Sequence, residues 1–236
     1  MAQHSFPATR VSDRNDILHL LVDVSHRLAE HGFVAATDGN VSARLPSGNI
    51  LITPSAMPKR RVTVADVIEV RRDGHPLDPH RKPSTELDMH LFVYEQRPEI
   101  HAVVHAHPVH ATAFAAARIP MTGAVFPEVI LGLGGVPLAF YATPSTAEVR
   151  ASIAPFIDSA NAILLANHGV LTVGRTLEEA YLRMEKVEHA AHILSVAAQL
   201  GGVHRLTAGE LERLRAISRP SEGLDPDAVF PSEPGA

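Results

Sequence analysis

A chain of 236 residues, 45% of them hydrophobic, is long enough to bury the core of one α/β domain. Charged residues make up 20% and the formal net charge is −5, which argues against the basic surface that binds nucleic acid or anionic membranes. The absence of cysteine excludes disulfides, thiolate zinc sites and cysteine nucleophiles. Any transition-metal site must therefore use histidine with aspartate or glutamate.

Both ends of the sequence differ in composition from the rest. Residues 1–11 predict a loose arm, and residues 219–236, rich in Pro, Ser, Asp and Gly, predict a mobile tail. The arm has no apolar core behind a basic start, and no stretch of the chain reaches about 18 consecutive apolar residues. We therefore expect a cytoplasmic protein with one domain over residues 1–236, and no membrane or nucleic-acid partner.

The elements alternate along the chain and are mostly short. Helices are predicted where apolar residues recur every three or four positions or where capping residues stand: about 14–31, 84–96, from 108, 145–156, 176–200 and from 207. Strands are predicted at the short apolar runs 49–53, 67–71, 100–107, 123–131, 136–140, 162–166 and 170–173. Residues 33–43 are rich in turn formers. This mixture favours a three-layer α/β/α domain.

The run 100–112, IHAVVHAHPVHAT, contains the main metal-ligand candidates. His105 and His107 stand two positions apart at the end of an apolar strand, so both imidazoles project from one face. Either histidine alone fits a strand end bonded to backbone carbonyls. The pair favours a shared cation, because two buried imidazoles are otherwise hard to satisfy.

Two further histidines are candidates at this site. His168 follows a buried strand and precedes Gly169, a break that can turn an imidazole into a cleft. As a third ligand it would complete a catalytic zinc pattern with one open position. His110 lies one turn into the next helix and could orient a ligand from behind. The alternative to a metal-site role is that His168 is an ordinary turn residue and His110 an ordinary polar helix residue.

A carboxylate and several hydroxyls meet at a predicted helix start. Glu86 can be an ordinary acidic residue near a helix N-terminus, but Ser84 and Thr85 beside it suggest an anion pocket for phosphate. Turn-rich loops that could complete the pocket contain Gly39-Asn40 and Ser55-Ala56. A glutamate between such a pocket and a metal is placed to move a proton on a carbon next to a carbonyl.

Five segments carry a resemblance to a known family. They are DGNVSARL (38–45), LITPSAMP (51–58), KPSTELDMH (82–90), AVVHAHPVHATA (102–113) and LLANHGVLTVG (164–174). In this order and spacing, over roughly residues 14–205, the sequence resembles the class II aldolase/adducin family. The resemblance implies a nine-stranded, mainly antiparallel sheet between helical layers, and four-fold homotetramers with active sites between subunits.

The resemblance also implies roles for particular residues. His105, His107 and His168 would hold zinc, although such a site also accepts Mn2+, Co2+ or Fe2+. Glu86 would bind the zinc in the empty site and serve as acid and base once substrate displaces it. The positions that match phosphate-binding residues are Asn40, Ser55, Ala56 (through its backbone), Ser84 and Thr85.

The implied reaction is reversible retro-aldol cleavage of a ketose 1-phosphate into dihydroxyacetone phosphate and an aldehyde, through a zinc-stabilised enediolate. The sequence departs from the aldolases at Ala56, usually glycine, and at Thr85, usually serine. They also place a tyrosine in the segment corresponding to 124–130, where this chain has Phe126 and Glu128. Aldehyde specificity is therefore left open.

Relatives on this scaffold suggest alternative functions. A metal-dependent decarboxylase of β-keto acids or pyridine dicarboxylates is the second hypothesis, since it needs less machinery on the aldehyde side. The methylthioribulose-phosphate dehydratase and a non-enzymatic adducin-like domain come after it. Pentulose-phosphate 4-epimerases carry aspartate where Glu86 stands, which argues against that activity.

Overall fold

The structure, a computed structural model, describes residues 13–122 and 125–217. Its α-helices are α1 Arg14–Glu30, α2 Leu87–Gln96, α3 Val109–Ala116, α4 Pro127–Leu133, α5 Glu148–Ile157, α6 Leu177–Gln199 and α7 Ala208–Ile217. Its strands are β1 Asn40–Arg44, β2 Ile50–Ile52, β3 Ile68–Val70, β4 Ala102–Ala106, β5 Leu138–Ala139, β6 Ala162–Leu165 and β7 Gly169–Gly174. The predicted arm and tail lie outside the described residues.

All seven of these strands belong to one sheet, in the order β3-β2-β1-β4-β7-β6-β5. Every neighbouring pair is antiparallel except β5 and β6, which are parallel. The prediction of a mainly antiparallel sheet is confirmed. The described residues contain two strands fewer than the nine that the resemblance implies, but isolated bridges such as Pro54–Pro83 and Met121–Val136 extend the pairing.

The sheet separates two apolar cores. Val104 belongs to the cluster that includes buried residues of α1, α3, α4 and α6, whereas its neighbour Val103 belongs to the cluster with α2 and α5. Successive side chains of a strand point to opposite faces, so each strand contributes to both cores. Helices therefore cover both faces of the sheet, and the predicted three-layer α/β/α architecture is confirmed.

Helix capping confirms several boundaries. Asp13 accepts a hydrogen bond from the amide of Asn15 at 3.1 Å and caps α1. Thr176 accepts one from the amide of Glu179, also at 3.1 Å, as the capping sequence before α6 predicts. These two long helices pack against each other on one face of the sheet, behind the strands that contain the site.

One predicted strand and one predicted helix cap are wrong. Within the predicted strand 123–131, the described residues from Pro127 onward form α4, because Pro127 occupies the favoured first position of the helix and Gly134 ends it with φ +74°. The sequence Ser145-Thr-Ala-Glu148 predicts a capping box for the helix 145–156. The helix is present, but Ser145 has φ +62° and α5 begins only at Glu148. Glu148 instead accepts from the amide of Thr143 at 2.9 Å.

Two further differences affect the site directly. Ser84 does not cap α2; its amide bonds to the carbonyl of Thr53, and the helix begins only at Leu87, with Glu86 as N-cap. The turn-rich segment 33–43 runs into β1, which periodicity missed because Asn40 and Ser42 are polar yet buried. Both corrections place Glu86 and Asn40 beside each other at the end of the sheet.

Candidate active site

The end of β4 presents His105 toward α2. Its side chain is fully buried, and Asn40 of β1 is its partner in the sheet. The ring Nδ1 lies 3.0 Å from the carbonyl oxygen of Val170 on the neighbouring strand. A carbonyl only accepts, so Nδ1 carries the proton and Nε2 keeps its lone pair for a metal.

The turn between β6 and β7 brings His168 to the same place. Asn167 has the left-handed φ of +57°, which an asparagine tolerates better than most residues. Gly169 permits the close approach of the two segments, because a Cβ there would lie 2.5 Å from both the carbonyl oxygen of Ala106 and Cδ2 of His107. The Asn-His-Gly sequence thus has a conformational reason at Asn167 and a steric one at Gly169.

The three predicted metal ligands meet. One ring nitrogen from each of His105, His107 and His168 lies within 4.8 Å of the other two. The Nε2 atoms of His105 and His107 are 3.0 Å apart and face each other. Burial and the neighbouring histidines lower the pKa of His105 to about 3 and that of His107 to about 4. Both rings are therefore neutral near pH 7, the form that binds metals.

Glu86 completes the group. Its Oε2 lies 3.4 Å from Nε2 of His105 and its Oε1 lies 3.4 Å from Nε2 of His168. Asn40 Nδ2 donates to Oε2 at 2.8 Å, but no described residue donates a hydrogen bond to the buried Oε1. A carboxylate oxygen without a donor beside three imidazole nitrogens fits a divalent cation, so the residues match the donor set of a site with three histidines and one carboxylate.

The loops with the predicted phosphate-binding residues adjoin this group. Ser55 and Ala56 follow Thr53, and the segment 53–55 is joined to 82–84 by two backbone hydrogen bonds of 3.1 Å. Ser84 is buried, while Thr85 and Ala56 are exposed. Whether these residues bind phosphate stays a prediction, but the structure does place the two loops side by side.

Lys59 was not predicted to be near the site, because it stands in a basic run, 59–61, that is typical of a surface segment. Its side chain is buried, and Nζ donates to the carbonyl oxygens of Thr37 at 3.0 Å and Met57 at 2.8 Å. Burial lowers the pKa of Lys59 to about 8. The ammonium thus joins the loop before Asn40 to the loop after Ser55, and adds positive charge beside the predicted phosphate pocket.

His110 makes its described side-chain hydrogen bond away from the three ligands. Its Nδ1 lies 2.8 Å from Oε1 of Glu188 on α6, and its ring stacks on His192 at 4.0 Å between centroids. The predicted role of His110 behind a metal ligand stays a prediction. Glu188 also accepts hydrogen bonds from the backbone amides of His110 and Ala111, so it pairs amides at the start of α3 that have no partner within the helix.

The neutral buried histidines predict acid sensitivity of the metal-free protein. Burial, as the main cause, lowers the pKa of His90 and His105 to about 3 and of His107 to about 4, against 6.5 for an unperturbed ring. Between these values the unfolded chain binds protons that the folded chain excludes. The free energy of unfolding should therefore be largest above about pH 6.5. It should decrease as the pH is lowered below that value, by up to about 1.4 kcal/mol per pH unit for each ring.

Urea unfolding of the metal-free protein at several pH values between about 4.5 and 7 would measure this slope. His90→Asn should make the slope shallower, whereas His19→Asn on the exposed face of α1 should leave it unchanged. A wild-type stability that is independent of pH across this window would contradict the expectation.

Comparison with known proteins identifies the class. Residues 19–195 match the family described as Class II Aldolase and Adducin N-terminal domain. The chain belongs to this family, as the five motifs indicated. No helix in the described part of the chain is long and apolar enough to cross a membrane.

Individual relatives have different reactions. The chain is 32% identical over 191 residues to 3-oxo-tetronate 4-phosphate decarboxylase of Escherichia coli K12, which covers 79% of this chain and 89% of the relative. It is 31% identical over 208 residues to 5-methylthioribulose-1-phosphate/5-deoxyribulose-1-phosphate aldolase of Rhodospirillum rubrum, covering 88% and 91%. A solved L-fuculose 1-phosphate aldolase superposes with a TM-score of 0.79 at 31% identity, covering 87% and 97%. The family is thus shown, and its members include both aldolases and decarboxylases.

Proposed function

We propose that the protein is a metal-dependent carbon–carbon lyase that cleaves a ketose 1-phosphate reversibly to dihydroxyacetone phosphate and an aldehyde. The observation that carries the proposal is the position of Glu86, 3.4 Å from ring nitrogens of two metal-ligand candidates and without a hydrogen-bond donor on Oε1 among the described residues. When a substrate displaces this carboxylate from the cation, the carboxylate would still lie beside the reacting carbon.

The chain's own residues supply binding and proton transfer. The loops with Asn40, Ser55 and Ser84 hold the phosphate, with the ammonium of Lys59 nearby as a positive charge. A divalent cation held by the three histidines would supply a Lewis acid at the substrate carbonyl. When the carbon–carbon bond breaks, the hydroxyl of the leaving carbon gives its proton to water and becomes the aldehyde carbonyl. Glu86 gives a proton to the carbon that remains, and it removes the same proton in the direction of synthesis.

A decarboxylase of a phosphorylated β-keto acid is the second candidate. It would use the same cation and phosphate loops, and it needs no group that takes the proton from the hydroxyl that becomes the departing aldehyde. Two observations favour it: the segment 125–130 offers Phe126 rather than a tyrosine, and one relative is a 3-oxo-tetronate 4-phosphate decarboxylase. The dehydratase and the adducin-like domain are left as lesser alternatives, without an observation that favours either.

A substrate panel separates the two candidates. Metal-loaded protein is incubated with ketose 1-phosphates and with phosphorylated β-keto acids, and dihydroxyacetone phosphate and CO2 are each measured by coupled assays. We expect dihydroxyacetone phosphate from at least one ketose 1-phosphate, no CO2, and loss of turnover after chelation. Release of CO2 without dihydroxyacetone phosphate would replace the aldolase by the decarboxylase.

Several properties complete the proposal. We infer zinc as the native cation, with Mn2+ or Co2+ as substitutes, because the donor set suits all three. We also infer a homotetramer of single-domain chains in the cytoplasm, with active sites between subunits. Exposed apolar side chains near the end of α6 support a subunit contact there: Ile193, Val196, Leu200 and Val203.

A further inference from the structure

A buried row of polar side chains runs from the interior of α2 to Glu86. His90 and Tyr94 follow Glu86 at intervals of four residues, so the three lie on one face at the start of and along α2. Asn40 and Ser42 stand two residues apart on β1 and face them. The exposed fractions are 0% for Ser42 and His90, 3% for Asn40 and 6% for Tyr94.

Each member of this row touches the next. The Tyr94 hydroxyl lies 2.7 Å from Ser42 Oγ, which in turn lies 2.7 Å from His90 Nδ1. His90 Nε2 is 2.5 Å from Asn40 Oδ1, and Asn40 Nδ2 is 2.8 Å from Glu86 Oε2. The row is thus a continuous series of four hydrogen bonds that ends at the carboxylate.

The direction of every bond follows from the carboxylate. An ionised Glu86 can only accept, so Asn40 must donate through Nδ2 and accept through Oδ1. His90 must then donate from Nε2, which leaves Nδ1 as an acceptor for the Ser42 hydroxyl. Ser42 can in turn accept from Tyr94. Burial lowers the pKa of His90 to about 3, so its ring is neutral and has one acceptor nitrogen, as this order requires.

We propose that His90 is a positioning residue, which fixes the Asn40 amide with its N–H side toward Glu86 and so keeps the carboxylate aimed between His105 and His168. If the amide turned over, Oδ1 would face Glu86 Oε2 and two acceptors would lie in contact. Ser42 acts one step further away by holding His90 in the tautomer that donates to Asn40. The effect on proton transfer rests on the proposed function, whereas the tautomer of His90 does not.

The test of proton transfer uses one substrate. Full-length, metal-loaded protein is mixed with dihydroxyacetone phosphate in 2H2O, and loss of the exchanging C–H signal is followed by NMR. We expect kcat for exchange to fall about 100-fold in His90→Leu and about tenfold in Ser42→Ala, with KM within about twofold. Tyr94→Phe leaves Ser42 able to donate to His90, so its kcat should fall by only about two- to threefold.

Controls separate positioning from stability. Ser42→Thr keeps the hydroxyl and should restore most of kcat, and Ser152→Ala removes another buried serine hydroxyl, on α5, and should leave kcat unchanged. Thermal unfolding and metal content are measured for each variant. Equal losses of kcat in Ser42→Ala and Tyr94→Phe, in proportion to lost stability, would overturn the proposal.

The tautomer is measured without substrate. Solid-state 15N NMR of histidine-labelled protein, with His90→Leu to assign the signal, should show His90 protonated at Nε2 and unprotonated at Nδ1. The opposite tautomer would overturn the proposal. If wild-type protein exchanges no proton yet His90 has the expected tautomer, the proposed function fails while the fixed Asn40 amide stands.

Discussion

The His168→Ala variant is expected to lose stoichiometric metal and with it nearly all turnover. His168 is one of three imidazoles whose nitrogens lie within 4.8 Å of one another, and its side chain is only 14% exposed. Removing it leaves two histidines and Glu86, a weaker donor set. Since changes to residues behind metal ligands already cost about 10- to 100-fold in affinity or activity, loss of a ligand should exceed about 100-fold in both.

Metal per chain by mass spectrometry and kcat/KM on the substrate found in the panel would measure the two effects. His168 lies in a surface turn, so alanine there should disturb folding less than at the fully buried His105. His19→Ala, on the exposed side of α1, is the matched control and should keep both metal and activity. One tightly bound metal per His168→Ala chain would remove His168 from the ligand set.

The sequence predicted the elements whose boundaries are set by local interactions. Helices α1 and α6 have both an apolar period and a capping side chain, and both were found where expected. The failures include α4 and the Ser145 capping box. At α4 the apolar run VILGL fits a strand or a helix equally, and Pro127 and Gly134, at its two ends, decide for the helix.

The metal-ligand candidates were predictable because two local patterns coincide. His105 and His107 share a strand face, and His168 stands at a turn where Gly169 leaves room for His107. The family resemblance implied that the three histidines meet, and the pairing of β4 with β7 in the sheet brings them together. Spacing within one strand alone would not have supplied the third candidate ligand.

The residues behind Glu86 could not be predicted in the same way. His90 and Lys59 act through contacts between segments far apart in sequence, with Asn40 in one case and with Thr37 in the other. One signal was present: Glu86, His90 and Tyr94 recur every four residues, and Asn40 and Ser42 alternate on a strand. Recognising it requires knowing that α2 covers β1, which only the tertiary structure provides.

The side-chain amide of Asn40 serves two proposed functions, the orientation of Glu86 and the binding of phosphate. Its Oδ1 is occupied by His90 and one hydrogen of Nδ2 by Glu86, which leaves a single N–H for a phosphate oxygen. If the phosphate uses that hydrogen, substrate binding and the orientation of Glu86 are coupled through one side chain. A variant of Asn40 would then change KM and kcat together, whereas variants of Ser42 would change kcat alone.

Glu86→Gln should lower kcat by about 10²- to 10⁴-fold while the metal stays bound, if Glu86 moves the proton. Glutamine has nearly the same shape but cannot accept the proton of a C–H group. The three histidines remain, so metal content should change little. Exchange of the dihydroxyacetone phosphate C–H proton in 2H2O isolates this step, because it requires neither cleavage of a carbon–carbon bond nor an aldehyde.

Glu95→Gln is the matched control for this substitution. Glu95 lies on the same helix, two turns further on, and pairs with Arg150 at the surface. It should exchange the proton at the wild-type rate. Full exchange by Glu86→Gln with one metal per chain would take the acid–base role from Glu86, and the carboxylate would then be only a metal ligand. Loss of both metal and exchange would instead mean that Glu86 is needed to hold the cation. Glu86→Asp, which keeps the charge on a shorter side chain, resolves that case. If this variant binds metal again but still exchanges no proton, then proton transfer requires the carboxylate at the position that Glu86 gives it.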